Sequence, residues 1–233
     1  MFAAASVEGS FLDQLALRVV DAMIFRRFVV GQLQTNCYLL ICPETRQALV
    51  IDPGFTDDAE ARSIIEEVKK HRADVKYVVN THWHPDHTSG DEWFKRATGA
   101  SILIHKDDAS MLSEIRSEGL FGIQHKPVVP DATLTDGSTI VFGNISLRVI
   151  HTPGHTRGSI SLLGQLTLFT GDTLFAGSIG RTDLPGGSFK ELIDSIRRKL
   201  MVLPGEVKIY PGHGPSSTIA REKETNPFLT TIQ

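Results

Sequence analysis

Cysteine is scarce in this chain of 233 residues, with Cys37 and Cys42 the two present. Both lie in Asn36-Cys-Tyr-Leu-Leu-Ile-Cys42, which reads as one buried strand. Five extended residues put their Cα atoms roughly 16 to 17 Å apart, far beyond disulfide reach. A disulfide framework is excluded, the thiols are expected free and buried, and a cytoplasmic location is the default expectation. Long hydrophobic runs are also missing: none approaches the roughly 18 to 20 residues of a membrane span, so no membrane partner is expected. Neither sign of charge is in excess, since 24 basic and 27 acidic side chains give a net charge of −3. A nucleic-acid partner calls for a clustered basic face and is disfavoured. No Lys or Arg precedes the short apolar stretch Phe2 to Ser6, which is too short for a signal peptide.

Residues 1–22 read in two ways. They form an N-terminal extension with a short helix, capped by Ser10 with Asp13 and carrying Phe11, Leu12, Leu15 and Val19 on one side; or translation starts at Met23. Residues 23–233 are expected to form a single domain. Hydrophobic residues make up 41% of the chain, enough for a core that needs no staple. Strands are expected at Ile24–Val30, Cys37–Ile41, Ala48–Ile51, Val75–Asn80, Ser101–Ile104, Thr139–Phe142, Ile145–Ile150, Ser159–Leu163, Leu166–Thr170 and Val207–Tyr210. Gly143-Asn144 and Gly164-Gln165 read as hairpin turns. Helices are expected at Asp58–His71, Gly90–Thr98, Lys106–Glu114 and Phe189–Leu200. The last has a capping box, Ser188 with Glu191, and an apolar face of Phe189, Leu192, Ile193, Ile196 and Leu200. This mixture indicates a layered α/β or α+β domain with too many hairpins for a doubly wound parallel sheet.

Histidine is what stands out. Three of the nine fall in Thr81-His-Trp-His-Pro-Asp-His87. Pro85 lacks a backbone N–H and biases His84 away from helix, which excludes the i,i+4 helical pair of a zinc protease. The segment reads as a loop leaving a strand, with His82 and His84 on one side and Asp86 and His87 turned in behind them, just before a helix near Gly90. Imidazole and carboxylate at this density suit zinc, manganese or iron. A lone histidine is ordinarily a hydrogen-bonded core or surface residue; three with an aspartate in six residues reverse that weighting. Further candidates sit at strand ends in glycine-rich turns: His155 in His151-Thr-Pro-Gly-His155, Asp172 in Phe169-Thr-Gly-Asp172, and His213 in Tyr210-Pro-Gly-His-Gly214. Their Gly and Pro neighbours fix a tight backbone that allows close approach. Together these are seven donors, five imidazoles and two carboxylates, enough for two ions.

In this order, His82-x-His84-x-Asp86-His87, His155, Asp172 and His213 resemble the metallo-β-lactamase superfamily. The resemblance runs from Met23 over nearly the whole chain, through Asp52-Pro-Gly54, Thr152-Pro-Gly-His-Thr156, Gly171-Asp-Thr-Leu174 and Gly212-His-Gly214. Gly177-Ser-Ile-Gly-Arg-Thr-Asp183 and Asn226-Pro-Phe-Leu229 are similar to the small glyoxalase II-like (hydroxyacylglutathione hydrolase-like) branch. The resemblance implies an α+β fold, a four-layer αββα sandwich with metals at one edge of the facing sheets. It implies two divalent metal ions, zinc foremost, with iron or manganese as alternatives. His82, His84 and His155 would hold the first ion, Asp86, His87 and His213 the second, and Asp172 would bridge. Asp86 and Asp172 would be the catalytic carboxylates. Asp52 reads either as a residue that steadies a ligand or as a turn aspartate before Pro53-Gly54.

The implied function is metal-dependent hydrolysis, in which a metal-bridging hydroxide attacks the carbonyl of a small-molecule thioester such as S-lactoylglutathione. Two divalent ions offset by Asp86, Asp172 and hydroxide leave about +1 facing the substrate, which acidifies water and polarises a carbonyl. Full-length glyoxalase II enzymes carry a helical C-terminal domain that supplies much of the glutathione contact. With 20 residues after His213, another acyl thioester or a lactone would use the same chemistry. The competing reading is a mononuclear iron persulfide dioxygenase on the same fold, with His82, His155 and Asp172 as a facial triad. The Gly-Arg-Thr-Asp183 run resembles that branch too, whereas Gly177-Ser-Ile-Gly180 and Asn226-Pro-Phe228 favour the hydrolase. A secreted β-lactamase is disfavoured because Asp172 stands where that branch presents a cysteine. Arg181 is expected to lock its loop by pairing with Asp183, and Trp83 to serve packing. Phe121, His125 and Lys126 lie in an irregular stretch, Gly119 to Asp136, and form either a pocket rim or a solvated loop. His71, His105, His125 and His151 are left for surface or structural duties.

Overall fold

The computed structural model describes residues 23–114, 122–123 and 126–230; the short helix expected near residues 11–19, Phe121 and His125 lie outside them. Alternation along the strands explains the layering. In β2 (Thr35–Ile41) every residue is buried: Cys37, Leu39 and Ile41 face one core and Tyr38 and Leu40 another. A strand so covered on both faces must lie inside a layered structure.

Among the described residues two sheets of six strands face each other. The first runs in order through β1 (Ile24–Val30), β2, β3 (Gln47–Ile51), β4 (Asp74–Val79), β5 (Ser101–His105) and β6 (Ala132–Leu134). Its β1–β2–β3 part is antiparallel and its β3–β4–β5–β6 part parallel. The second contains β7 (Thr139–Phe142), β8 (Ile145–His151), β9 (Ile160–Gly164), β10 (Thr167–Gly171), β13 (Lys208–Pro211) and β14 (Ser217–Thr218) in the order β14-β13-β10-β9-β8-β7. β11 (Leu174–Phe175) and β12 (Ser178–Ile179) form a separate short hairpin. Tyr38, Leu40, Ile51, Val79, Leu147, Leu162 and Phe169 fill the space between the sheets. Helix α1 (Asp58–Lys70) covers the outer face of the first sheet through Ala61, Ile64 and Val68, joined by Phe94 of α3 (Asp91–Thr98). Leu192, Ile193, Ile196 and Leu200 cover the second sheet. The result is the αββα sandwich expected, and both cysteines are free and buried.

Several boundaries differ from the sequence expectation. The ligand-rich stretch is not all loop: Pro85–Thr88 forms a one-turn helix, α2, with Pro85 in its first turn where no N–H is missed. The helix expected over Lys106–Glu114 shrinks to α4 (Ala109–Ser113), because the buried Asp108 side chain is engaged by other loops. Helix α5 (Phe189–Ser195), capped by Ser188 as expected, passes into a π turn at Ile196–Leu200. β6 arises inside the stretch read as irregular, paired to β5. After His213 the chain forms α6 (Ile219–Thr225) and α7 (Pro227–Thr230), neither expected.

Candidate metal centre

Each donor lies in a segment that follows a strand, and the two sheets contribute from opposite sides. β4 runs into the segment carrying His82, His84, Asp86 and His87; β8, β10 and β13 of the second sheet lead to His155, Asp172 and His213. All seven sequence candidates come together. His155 Nε2 lies 3.2 Å from His82 Nε2 and 2.9 Å from His84 Nδ1. His213 Nε2 lies 3.3 Å from His87 Nε2 and 3.2 Å from Asp86 Oδ2. Asp172 stands between the groups: Oδ1 is 3.4 Å from His87 Nε2, and Oδ2 is 3.7 Å from His155 Nε2 and 3.5 Å from His213 Nε2.

These distances fit ions. Ligand nitrogens about 2.0 to 2.1 Å from a tetrahedral ion lie about 3.3 Å from one another. A single proton can link two of the nitrogens of His82, His84 and His155, but not all three. Asp172 Oδ1 is buried with no hydrogen-bond partner, an arrangement that costs free energy unless something fills the space between the donors. The outer nitrogens of four of the five histidines are already committed. His87 Nδ1 donates to Asp52 Oδ2 (3.0 Å), His155 Nδ1 to the Arg181 carbonyl (2.7 Å), His213 Nδ1 to the Leu33 carbonyl (3.1 Å), and His82 Nδ1 to Thr81 Oγ1 (3.1 Å). With Nδ1 protonated in these four, their Nε2 atoms keep a lone pair for the centre, the usual way a protein fixes a ligand tautomer, whereas His84 turns Nδ1 toward His155.

Electrostatics divides the two groups. Burial first, and then the imidazoles of His87, His155 and His84, push His82 well below the usual histidine range, so it stays neutral. Burial alone would lower His87 too, but Asp86, Asp172 and Asp52 outweigh it and raise His87 well above that range. Asp86 is likewise held low: burial pushes it up, and His87 and His213 more than reverse this. The second group therefore demands positive charge, which protons or a divalent cation can supply.

Asp52 satisfies both of its sequence readings at once. Its backbone is left-handed (φ 51°) in the turn before Pro53, while its carboxylate accepts from Thr81 N and Oγ1 (both 2.7 Å) and from His87. Gly54 and Gly212 permit the close packing: a Cβ on Gly54 would fall 1.5 Å from the Asp86 carbonyl oxygen, and one on Gly212 2.2 Å from Asp172 Oδ1. Arg181 pairs with Asp183 (2.7 and 2.8 Å) as expected, its carbonyl serving His155. Trp83 is packed in the outer core. Lys126 is exposed and pairs with Glu92 at 3.7 Å.

Two braces escaped the sequence reading. Asp108 accepts from Trp83 N (3.2 Å), Thr156 Oγ1 (2.7 Å) and Gly158 N (2.7 Å), tying the His82–His87 segment to the His155 loop. Asn36 Nδ2 donates to the Pro211 and Gly214 carbonyls (both 2.9 Å), holding the His213 loop against β2. A polar residue at the head of an apolar strand was the signal for Asn36; Asp108 had none. His105 and His151 also gain a specific place, stacked across the two sheets with ring centroids 4.0 Å apart.

The family model of the metallo-beta-lactamase superfamily matches residues 30–213. A hydroxyacylglutathione hydrolase, GloC, of Haemophilus influenzae is 35% identical over 208 residues, 87% of this chain and 96% of its own. Three solved structures superpose closely. The BLEG-1 B3 metallo-beta-lactamase has a TM-score of 0.79 at 35% identity, covering 89% of this chain and 100% of its own. ETHE1 from Myxococcus xanthus reaches 0.74 at 30%, covering 91% and 86%. TTHA1623 in a di-iron-bound form reaches 0.74 at 30%, covering 88% and 100%.

Proposed function

Because the chain belongs to the metallo-β-lactamase superfamily, we propose that it is a hydrolase of small-molecule thioesters working with two divalent ions. The observation that carries the two-ion reading is the position of Asp172, within 3.7 Å of His155 on one side and 3.4 to 3.5 Å of His87 and His213 on the other. A carboxylate so placed borders both three-donor groups, His82–His84–His155 and Asp86–His87–His213, with Oδ2 between His155 and His213 and Oδ1 beside His87. The similarity to GloC supports a thioester as substrate, and the di-iron neighbour supports a paired centre.

When bound, the ions supply a water acidified toward neutrality and Lewis-acid polarisation of the thioester carbonyl. The chain's own part is positional. The protonated Nδ1 atoms of His87, His155 and His213 keep these imidazoles aimed inward, and Asp86 and Asp172 would supply negative charge to offset that of two divalent ions. His82, His84, His87 and His155 are buried, while His213 and Asp172 are 27% and 12% exposed at their side chains. Substrate therefore approaches from the His213–Asp172 side, where the carbonyl meets the centre directly. No serine or cysteine nucleophile is required.

The test is metal content of protein produced without supplementation, measured beside three assays: S-lactoylglutathione hydrolysis, persulfide-dependent oxygen uptake and β-lactam hydrolysis. Two ions per chain with thioester turnover is the expected result. One iron per chain with oxygen uptake, the mononuclear dioxygenase pattern, overturns the reading, as does β-lactam turnover without thioester turnover.

A further inference from the structure

A groove of about 330 Å³ opens beside the exposed edge of the centre, and His213 lines it together with Arg27, Val29 and Leu33. Alternation along the edge strand β1 decides which side chains reach it. Arg26 turns outward to Glu67 on α1, Nε to Oε1 2.9 Å. Arg27 turns the other way, and its guanidinium donates to the Gly214 carbonyl at 3.4 Å, next to His213. Val29, two residues on and on the same face, is 52% exposed, and Leu33 at the β1–β2 turn is 41% exposed. Large apolar side chains left in water beside a reactive centre mark a surface built to be covered.

The charge in this groove is one-sided. Among the described residues no carboxylate oxygen lies within 4.0 Å of the Arg27 guanidinium, and its long contact to Gly214 leaves most of its donors unused. A planar fork of donors beside an apolar wall recognises a carboxylate or a similar anion well, because the wall excludes water from the pair.

We propose that this groove holds one arm of the substrate, an arm with a short apolar stretch against Val29 and Leu33 and an anionic group paired with Arg27. Arg27 is then a specificity-determining residue outside the ligand set, and the substrate class narrows to anionic thioesters. The thioester half of that statement rests on the function proposed above; the anion half rests on the groove itself.

The experiment separates the two halves. Calorimetric titration of the metal-loaded chain with 3-(butylthio)propanoate and with its methyl ester compares ligands that differ by one charge. The wild type is expected to bind the anion about tenfold more tightly, the factor of one charged hydrogen-bonded contact. Arg27→Gln is expected to erase that preference while leaving ester binding and the melting temperature unchanged, and Arg27→Lys to keep part of it. Acetyl thioesters of 3-mercaptopropionate and of its methyl ester are assayed in parallel, where Arg27→Gln raises KM for the anionic substrate and leaves kcat alone. A preference retained in Arg27→Gln, as direct binding of the carboxylate to the ions would produce, overturns the groove assignment. Arg27-dependent binding without hydrolysis of either thioester overturns the thioester function and leaves the groove assignment standing.

Discussion

At the scale of single residues, the centre depends on atoms that never touch an ion. Asp52 holds the protonated Nδ1 of His87 and both hydrogen-bond donors of Thr81. Asp52→Asn puts an N–H where an acceptor is needed, and affinity for a divalent ion at the Asp86–His87–His213 group is expected to fall 10- to 100-fold, the usual cost of losing such a partner; competition titration with a chelator measures it. Gly212 is a packing requirement of another kind. Its neighbours leave no room for a methyl group, which would sit 2.2 Å from Asp172 Oδ1 and 2.7 Å from His87 Cε1. Gly212→Ala is expected to displace Asp172, to cost about 1 to 3 kcal/mol, and to lower the ion count per chain; mass spectrometry of the native protein reads the last. The seven candidate donors were legible in the sequence because four crowd into the six residues His82 to His87 and the other three sit in glycine-containing turns at strand ends. Asp52 was half legible, since Asp-Pro-Gly announces a turn but says nothing about which histidine the carboxylate will meet.

Elements couple through buried polar side chains whose partners are distant in sequence, and these were not legible. Asp108, between β5 and α4, accepts three hydrogen bonds from two ligand-bearing loops. Asp108→Asn leaves at least one buried group unsatisfied; destabilisation of about 1 to 3 kcal/mol is expected, with weaker binding at the His82–His84–His155 group. Chemical denaturation and zinc titration test the two effects separately. Glu222 plays the same part for the C-terminal helices. Buried on α6, it accepts from Gly177 N and Asn226 Nδ2 (both 2.8 Å) and from the Ser217 hydroxyl, so the Asn-Pro-Phe ending anchors the β11–β12 hairpin whose Phe175 ring faces His213. The stacked His105 and His151 give an element-scale pH dependence. Burial first, then His151, holds His105 down at about 4. Between the ordinary value near 6.5 and about 4, the unfolded chain therefore takes up a proton that the folded chain refuses, and stability falls as pH drops through that window. In His105→Phe, which keeps a ring for stacking, the contribution is gone. The difference in melting temperature between wild type and variant, measured on ion-free protein, should change between pH 6.5 and 4 and be flat above 7; a constant difference would refute the assignment.

For the whole molecule, a layered mixed domain was readable from alternation and hairpin turns and its four-layer form from the family resemblance, whereas topology details such as β6, the π turn and the two terminal helices depended on contacts between distant segments. Ion binding should stabilise the fold as a whole, since a ligand for the native state alone contributes RT ln(1 + [L]/Kd), about 4 kcal/mol at a thousandfold excess over Kd. At about 2 to 4 °C per kcal/mol for a chain of this size, metal removal is expected to lower the melting temperature by about 8 to 16 °C; calorimetry before and after chelation measures it. The two cysteines lie in and just after a single strand of one sheet, and no disulfide joins the halves of the sandwich. The donors, by contrast, come from both: His82, His84, Asp86 and His87 from the end of one sheet, His155, Asp172 and His213 from the other. Filling the centre thus cross-links residues far apart in sequence, as a disulfide would, with a bond that a chelator can cut. Amide exchange at the adjoining ends of β4, β8, β10 and β13 should slow together when the ions enter and quicken together when they leave.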